Sequence, residues 1–243
     1  MSNDIGDWYR SIPIISKYWF TGSVVFPLLG RLGLVNPMSL VLIPELLIHK
    51  FHIWRPFTAV LFYPISPQTG FHYLMNLYFL YNYSTQLETG LFMGRPADYA
   101  FALLFMWLLI VIIACFAQFM LLMDLMVMSV LYLWCTVNKD TIVRFWFGTQ
   151  FKAIYLPWIL FLFFILRGSG FDQLVGIFVG HLYYFIAFKY PQEFGGRTLL
   201  STPQFMYRFL PSNVGGVHGF GRPSQNARRD EPQRHNWGRG NRM

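Results

Sequence analysis

Charge is scarce in this sequence, cysteine is nearly absent, and acidic residues are fewer than basic ones. Only 12% of the 243 residues are charged, with 11 Asp and Glu against 19 Lys and Arg. With a mean hydropathy of +0.40 and 26 Phe, so thin a polar complement cannot cover a single soluble core. Cys115 and Cys135 are the only cysteines, and both lie inside apolar runs. No disulfide framework is available, and neither spacing suits a metal, so no metal or cofactor is expected and both read as packing residues. Residues 1–6 contain Asp4 and no basic residue, unlike the positive start of a cleavable secretory signal. The first span is therefore expected to act as its own anchor. Between Tyr99 and Asn138 there is no glycine, no proline, and one charge, Asp124.

What the chain does have is a series of apolar runs near the length of ~20 residues that crosses hydrocarbon. They predict an all-α membrane protein with six transmembrane helices. Trp8, Ile12, Ile14 and Ile15, mixed with Asp7, Arg10 and Ser11, suit a short interfacial segment. The first helix is predicted over 18–34, with Arg31 snorkelling near its far end and Asn36-Pro37 closing it. Residues 38–48 are apolar but too short to span. They are followed by His49, Lys50, His52 and Arg55, and together read as a half-submerged loop between helices one and two. The second helix is predicted over 71–87, closed by Glu88 and Gly90. The run from Tyr99 is about twice a single span, so a tight turn at 118–124 divides it into helices three and four. Residues 151–166, with a bend at Pro157, form the fifth, and 171–188 the sixth.

In this arrangement 15 of the 19 Lys and Arg share one side, which by the positive-inside bias puts both termini in the cytosol. Several spans reach only about 16 to 18 residues, which suits the thin bilayer of the endoplasmic reticulum. From Pro191 onward the composition changes to eight Arg, three acids and much Gly, Asn, Gln and Pro. Residues 1–190 are read as the membrane domain and 191–243 as a basic, flexible cytosolic tail with too few aliphatic residues to fold alone.

The sixth helix carries Gly176, Gly180 and His181. Glycines four apart let a neighbouring backbone approach, and an ionisable ring at membrane depth must find a polar partner or a function. Trp54-Arg55 in the loop, His72 and Asn76 in the second helix, and Glu88 beyond it complete a constellation that resembles the rhomboid superfamily of intramembrane serine proteases. That resemblance implies a loop hairpin positioned by Trp54 and Arg55, oxyanion support from His72 and Asn76, and His181 as base. The family's Gly-x-Ser-Gly precedes a tyrosine by four residues. Aligned on Tyr132, Met126 and Met128 occupy the first glycine and the serine, and Ser129 the second glycine. A one-residue shift turns a side chain about 100° around the helix, so Ser129 is expected to miss His181. Met and Ser in place of glycines are also expected to push helices four and six apart.

A rhomboid scaffold without its serine resembles the derlins. Residues 6–13 (Gly-Asp-Trp-Tyr-Arg-Ser-Ile-Pro), Ile53 to Pro56, Asn76 to Tyr81, 94–99, 145–149 and 200–205 all read as derlin sequence, and the Trp-Gly near the end favours the derlin-one branch. The resemblance implies a non-catalytic factor of endoplasmic-reticulum-associated degradation that binds misfolded clients, perturbs the bilayer and assists retrotranslocation to the cytosol. Its implied partners are the valosin-containing AAA ATPase, a membrane ubiquitin ligase complex, misfolded proteins, the lipid bilayer and further copies of itself, with no nucleic acid. Trp54, Arg55, His72, Asn76, Glu88 and His181 are the candidates for client or bilayer interaction, with Arg55 placed at the membrane boundary. Gly176 and Gly180 are the candidates for helix packing. Trp237, Gly238, Gly240 and Met243 resemble the box that binds the ATPase. The competing readings are a cryptic intramembrane serine protease using Ser129 and His181, and a lipid- or ion-conducting protein, for which the few scattered intramembrane charges supply no ring.

Overall fold

A computed structural model describes residues 4–93, 95–144, 149–166, 170–193 and 199–210. The chain opens with α1 (Asp4–Ser11), whose Trp8 indole N–H donates to Tyr81 Oη at 2.8 Å. Helix α2 (Ile14–Arg31) follows Pro13, which has no side-chain cap to offer. Its open amides are taken instead by Glu88. That carboxylate accepts from the Ile15 and Ser16 amides at 3.0 and 2.8 Å and from the Ser16 hydroxyl at 2.7 Å. Pro27 inside α2 leaves the Ser23 carbonyl without its usual donor, and Tyr73 Oη supplies one at 3.0 Å. The helix ends at Arg31, earlier than the pattern predicted. Gly33, with φ of +75°, turns the chain, and Asn36-Pro37 begins the next helix.

The segment expected to lie half-submerged consists of three short helices, α3 (Pro37–Leu40), α4 (Pro44–Lys50) and α5 (Arg55–Leu61). Asn36 caps α3 by accepting the Met38 amide at 2.9 Å. Backbone bonds from Leu42 to Met120 (3.0 Å) and from Leu122 to Ala59 (3.1 Å) tie this loop to the turn before the fourth predicted helix. Next come α6 (Gly70–Gln86) and a π-helical turn (Leu87–Leu91). Glu88, at the close of the predicted second helix, lies inside the fold at 2% exposure.

Helix α7 (Pro96–Ala117) closes on Gln118, whose φ of 60° makes the turn expected here, and α8 (Met123–Val137) follows. Two strands, β1 (Ile142–Arg144) and β2 (Gln150–Lys152), pair antiparallel with Val143 opposite Phe151. The fold is thus not wholly helical, and Phe151 belongs to a strand. The fifth helix starts later than predicted, with a 3-10 turn (Ala153–Tyr155) leading into α9 (Leu156–Leu166). Pro157 sits in the first turn of α9, where a missing amide costs nothing, so it bends no span. Then come α10 (Phe171–Tyr184), a π-helical turn (Phe185–Lys189), α11 (Tyr190–Glu193) and α12 (Gln204–Phe209). Among the described residues, α7 and the stretch Phe171–Glu193 are long and apolar enough to cross a membrane; α8 and Ala153–Leu166 are apolar but shorter.

The axis of the bundle is α8. Twelve of its residues are buried, so it is enclosed on all sides, by α6, α7, α9, α10 and the loop helix α5. The tightest neighbour is α10. A Cβ placed on Gly176 would lie 2.6 Å from the Leu125 carbonyl oxygen and 2.8 Å from Met128 Cβ, and one on Gly180 would lie 2.6 Å from the Ser129 carbonyl oxygen. The predicted separation of the fourth and sixth helices is therefore corrected. The glycines that permit close approach sit on α10, and they absorb the bulk that Met128 and Ser129 add to α8.

Backbone oxygens in a packed helix cannot swing aside. Gly180→Ala is expected to lower the melting midpoint in mild detergent, at an overpacking cost of about 1–3 kcal/mol. Gly90→Ala, which meets nothing within 4 Å, should leave it unchanged. Equal melting of the two variants would refute the contact.

Candidate functional site

Where a rhomboid protease would place its nucleophile, α8 presents the Met128 side chain, buried at 3% exposure. A thioether has no proton to lose and cannot attack a carbonyl. Ser129, fully buried, donates to the Leu125 carbonyl at 2.8 Å and lies 2.9 Å from the Gly176 carbonyl. Its hydroxyl is thus spent bridging α8 to α10. His181 is exposed at the rim, and its Nδ1 meets Tyr132 Oη at 2.9 Å. Serine and histidine share no hydrogen bond, as the one-residue shift predicted.

The oxyanion half of the pattern is equally committed elsewhere. Asn76 Nδ2 donates to Asp124 Oδ1, and His72 Nε2 lies 3.8 Å from that same oxygen. His72 Nδ1 is 2.8 Å from Tyr63 Oη, and Phe164 of α9 packs on the ring at 4.6 Å between centroids. Asp124, a first-turn residue of α8, holds these α6 side chains together across the helix interface. The cluster joins α6, α8, α9 and the chain before α6, and Asp124 Oδ1 occupies the point on which the Asn76 and His72 nitrogens converge.

The comparisons with known proteins agree with this geometry. The sequence profile of the Der1-like family matches residues 12–204. The chain is 56% identical to human Derlin-1 over 99% of its own length and 98% of the relative's. It is 49% identical to Derlin-1 of Caenorhabditis elegans over 96% of its length and 95% of the relative's, and 42% identical to Derlin-1 of Drosophila melanogaster over 98% and 97%. The chain belongs to the Der1-like family. As a derlin it is a non-catalytic, rhomboid-like pseudoprotease of the endoplasmic-reticulum membrane, and it serves the retrotranslocation step of endoplasmic-reticulum-associated degradation.

The remaining candidate residues of this derlin fall into distinct settings. Trp54 is 52% exposed and stacks on His52 at 4.5 Å. Arg55, expected at the membrane boundary and held there by hydrogen bonds, is buried among protein partners at 6% exposure. Its Nη1 donates to the Met38 and Val41 carbonyls at 2.8 and 2.9 Å, and its Nε donates to His52 Nδ1 at 3.0 Å. One guanidinium thus fastens α5 to the segment around α3. His72, Asn76 and Glu88 are likewise buried with internal partners, so among the six predicted contact residues only Trp54 and His181 present themselves at the surface. Trp237, Gly238, Gly240 and Met243 lie outside the described residues.

Two features of this derlin escaped the sequence reading. The first is an apolar crevice of about 290 Å³ lined by Phe71, Leu74, Met75, Tyr78, Phe79 and Tyr83 of α6 and by Val143 and Arg144 of β1. The spacing of 71, 74 and 78 along one helix face could have revealed it. The second is Asp98 in the first turn of α7. It accepts from Thr202 Oγ1 at 2.7 Å and from Tyr207 Oη, while Arg95 Nη1 stands 3.1 Å from its other oxygen. Burial, and then the hydrogen bond to Asp98, push the Tyr207 phenol up to about 12, so it remains a donor at neutral pH.

Removing the Arg55 side chain leaves two interior carbonyls without a donor, a loss of about 1–3 kcal/mol. Arg55→Ala is expected to shorten the protein's half-life in cells, and Arg55→Lys should not restore it because an ammonium lacks the forked geometry. A normal half-life in both variants would place the guanidinium outside the structural framework. Fluorophosphonate probes should leave purified protein unlabelled, and labelling that vanishes in Ser129→Ala would contradict the pseudoprotease assignment.

Proposed function

We propose that this derlin receives misfolded clients along α6, crosses the membrane six times with both termini in the cytosol, and hands clients to a motor engaged by its tail. The observation that carries the reading is the apolar crevice. Phe71, Leu74 and Tyr78 are 40%, 63% and 60% exposed on one stripe of α6, with Arg144 at the β1 end. Such a groove suits an apolar client segment, and the guanidinium suits the polar or acidic residues that flank it. The charge distribution supports the orientation, since 15 of 19 basic residues fall on the proposed cytosolic side. The six principal helices are α2, α6, α7, α8, α9 and α10. Fifteen residues of α8 rise only about 22 Å against ~30 Å of hydrocarbon, which favours a locally thinned bilayer around the bundle.

In this reading residues 1–190 form the membrane domain and 191–243 the tail, whose early part is moored through Thr202 and Tyr207 to Asp98. Trp237, Gly238, Gly240 and Met243 form the terminal box for the valosin-containing AAA ATPase. Trp237 is its apolar anchor and Met243 stands where leucine is usual. A membrane ubiquitin ligase complex and further copies of the chain complete the assembly. Trp54 and His181 are the exposed polar-aromatic contacts for client or bilayer. Arg55, His72, Asn76 and Glu88 act on both indirectly, by holding the bundle's shape.

A photo-crosslinking residue at Leu74 or Tyr78 is expected to capture a degradation client in cells, and one at Leu108 on α7 should capture little. Leu74→Ala should slow client turnover several-fold while protein abundance is preserved, because Leu74 is exposed at 63% and its truncation empties no core. Equal crosslinking at all three positions would sink the crevice as the client site. For the tail, Trp237→Ala should abolish co-purification of the ATPase without changing client crosslinking at Tyr78. Undiminished recovery of the ATPase would remove the box from the assignment.

A further inference from the structure

Helix α12 has two unlike faces. Met206 is buried, and Thr202 and Tyr207 fasten this segment to Asp98 in the first turn of α7. On the other face Phe205, Arg208 and Phe209 share one side at i, i+3 and i+4 spacing. Phe205 is 64% and Phe209 79% exposed, and Leu199, earlier on the same strap, is 59% exposed. No acidic residue occurs from 199 to 210. Two phenylalanines flanking a guanidinium are poorly placed in water, yet they are held outward by hydrogen bonds on the opposite face.

The height of α12 is set by its mooring. Asp98 opens α7, the 22-residue helix whose length and composition suit a membrane crossing. Whatever touches Asp98 is therefore at the plane where α7 enters hydrocarbon. We propose that α12 is an interfacial foot, with Phe205 and Phe209 set into the acyl boundary of the leaflet at the α7 amino end and Arg208 on the phosphates of anionic lipid. Continuity with the boundary around α7, and an exposed Arg208 paired with no acid among the described residues, favour a lipid surface over a protein surface. The inference rests on the reading of α7 as a span. Its consequence is that the chain leaves Leu210 at headgroup level.

The test uses the full chain with Cys115→Ser and Cys135→Ala, carrying one nitroxide at Gln204→Cys, Phe205→Cys, Phe209→Cys or Leu108→Cys. The protein is placed in nanodiscs of phosphatidylcholine with roughly three parts in ten phosphatidylserine, an anionic surface. Spin relaxation by oxygen, which concentrates in lipid, is compared with relaxation by an aqueous nickel chelate. Oxygen is expected to dominate at 205, 209 and 108, and nickel at 204. Arg208→Glu, or omission of phosphatidylserine, should reduce the oxygen excess at 209. Nickel dominance at 209 with oxygen dominance at 108 overturns the foot and leaves the span standing. Protection from both reagents at 209 means that a second copy or another protein covers the face, which also overturns it. Nickel dominance at 108 overturns foot and span together. An oxygen excess at 209 indifferent to both Arg208→Glu and phosphatidylserine overturns the assignment to anionic lipid.

Discussion

The contact of α10 with α8 through Gly176 and Gly180 is the constraint on which the bundle depends. Two helices so close meet backbone to backbone, and the bulk of Met128 and the hydroxyl of Ser129 are accommodated because α10 has no side chains at the two facing positions. The same closeness removes the chemistry. Ser129 is drawn into bridging carbonyls on both helices, while His181 is left at the rim with Tyr132. Loss of catalysis and retention of fold are thus two results of one packing arrangement. A scaffold with nothing to hydrolyse keeps its helices, its loop and its apolar crevice.

Around that contact, polar groups inside the fold are satisfied by partners far off in sequence. Pro27 opens a gap in α2 that Tyr73 fills from α6, and Arg55 gathers carbonyls from both ends of the α3 segment. In lipid each such gap is costly, since no water is present to fill it. The short loop helices are stable because they are roped to the α7–α8 turn and to Trp107, whose indole donates to the Pro56 carbonyl at 3.0 Å. The loop is a built part of the protein, and its exposed apolar edge includes Met38, Phe51, Ile53, Trp54 and Phe57.

Much of this was legible before the structure. Apolar runs located the six main helices, the glycine pair pointed to a close approach, and Met128 at the nucleophile position excluded hydrolysis. The partners of single charges were not legible. Glu88 carries the same signal in sequence whether it meets water or lies inside, because the groups that decide it are distant: it meets amides at Ile15 and Ser16. The start of α9 was misjudged because Phe151 is as apolar as the helix that follows, and only pairing with Val143 makes it a strand. Of the site, the crevice on α6 was visible only as an aromatic stripe, and Asp98 gave no sign of its tie to Thr202 and Tyr207.

The grip of Glu88 on α2 also bears on how the chain is made. Helix α2 leaves the ribosome with its leading amides uncapped, and the carboxylate that will close them follows only after the loop helices and all of α6 have been synthesised. Arg55 and its carbonyls, by contrast, are neighbours in the nascent chain. The loop can therefore knit early, whereas the cap on the first helix closes only once α6 is in place.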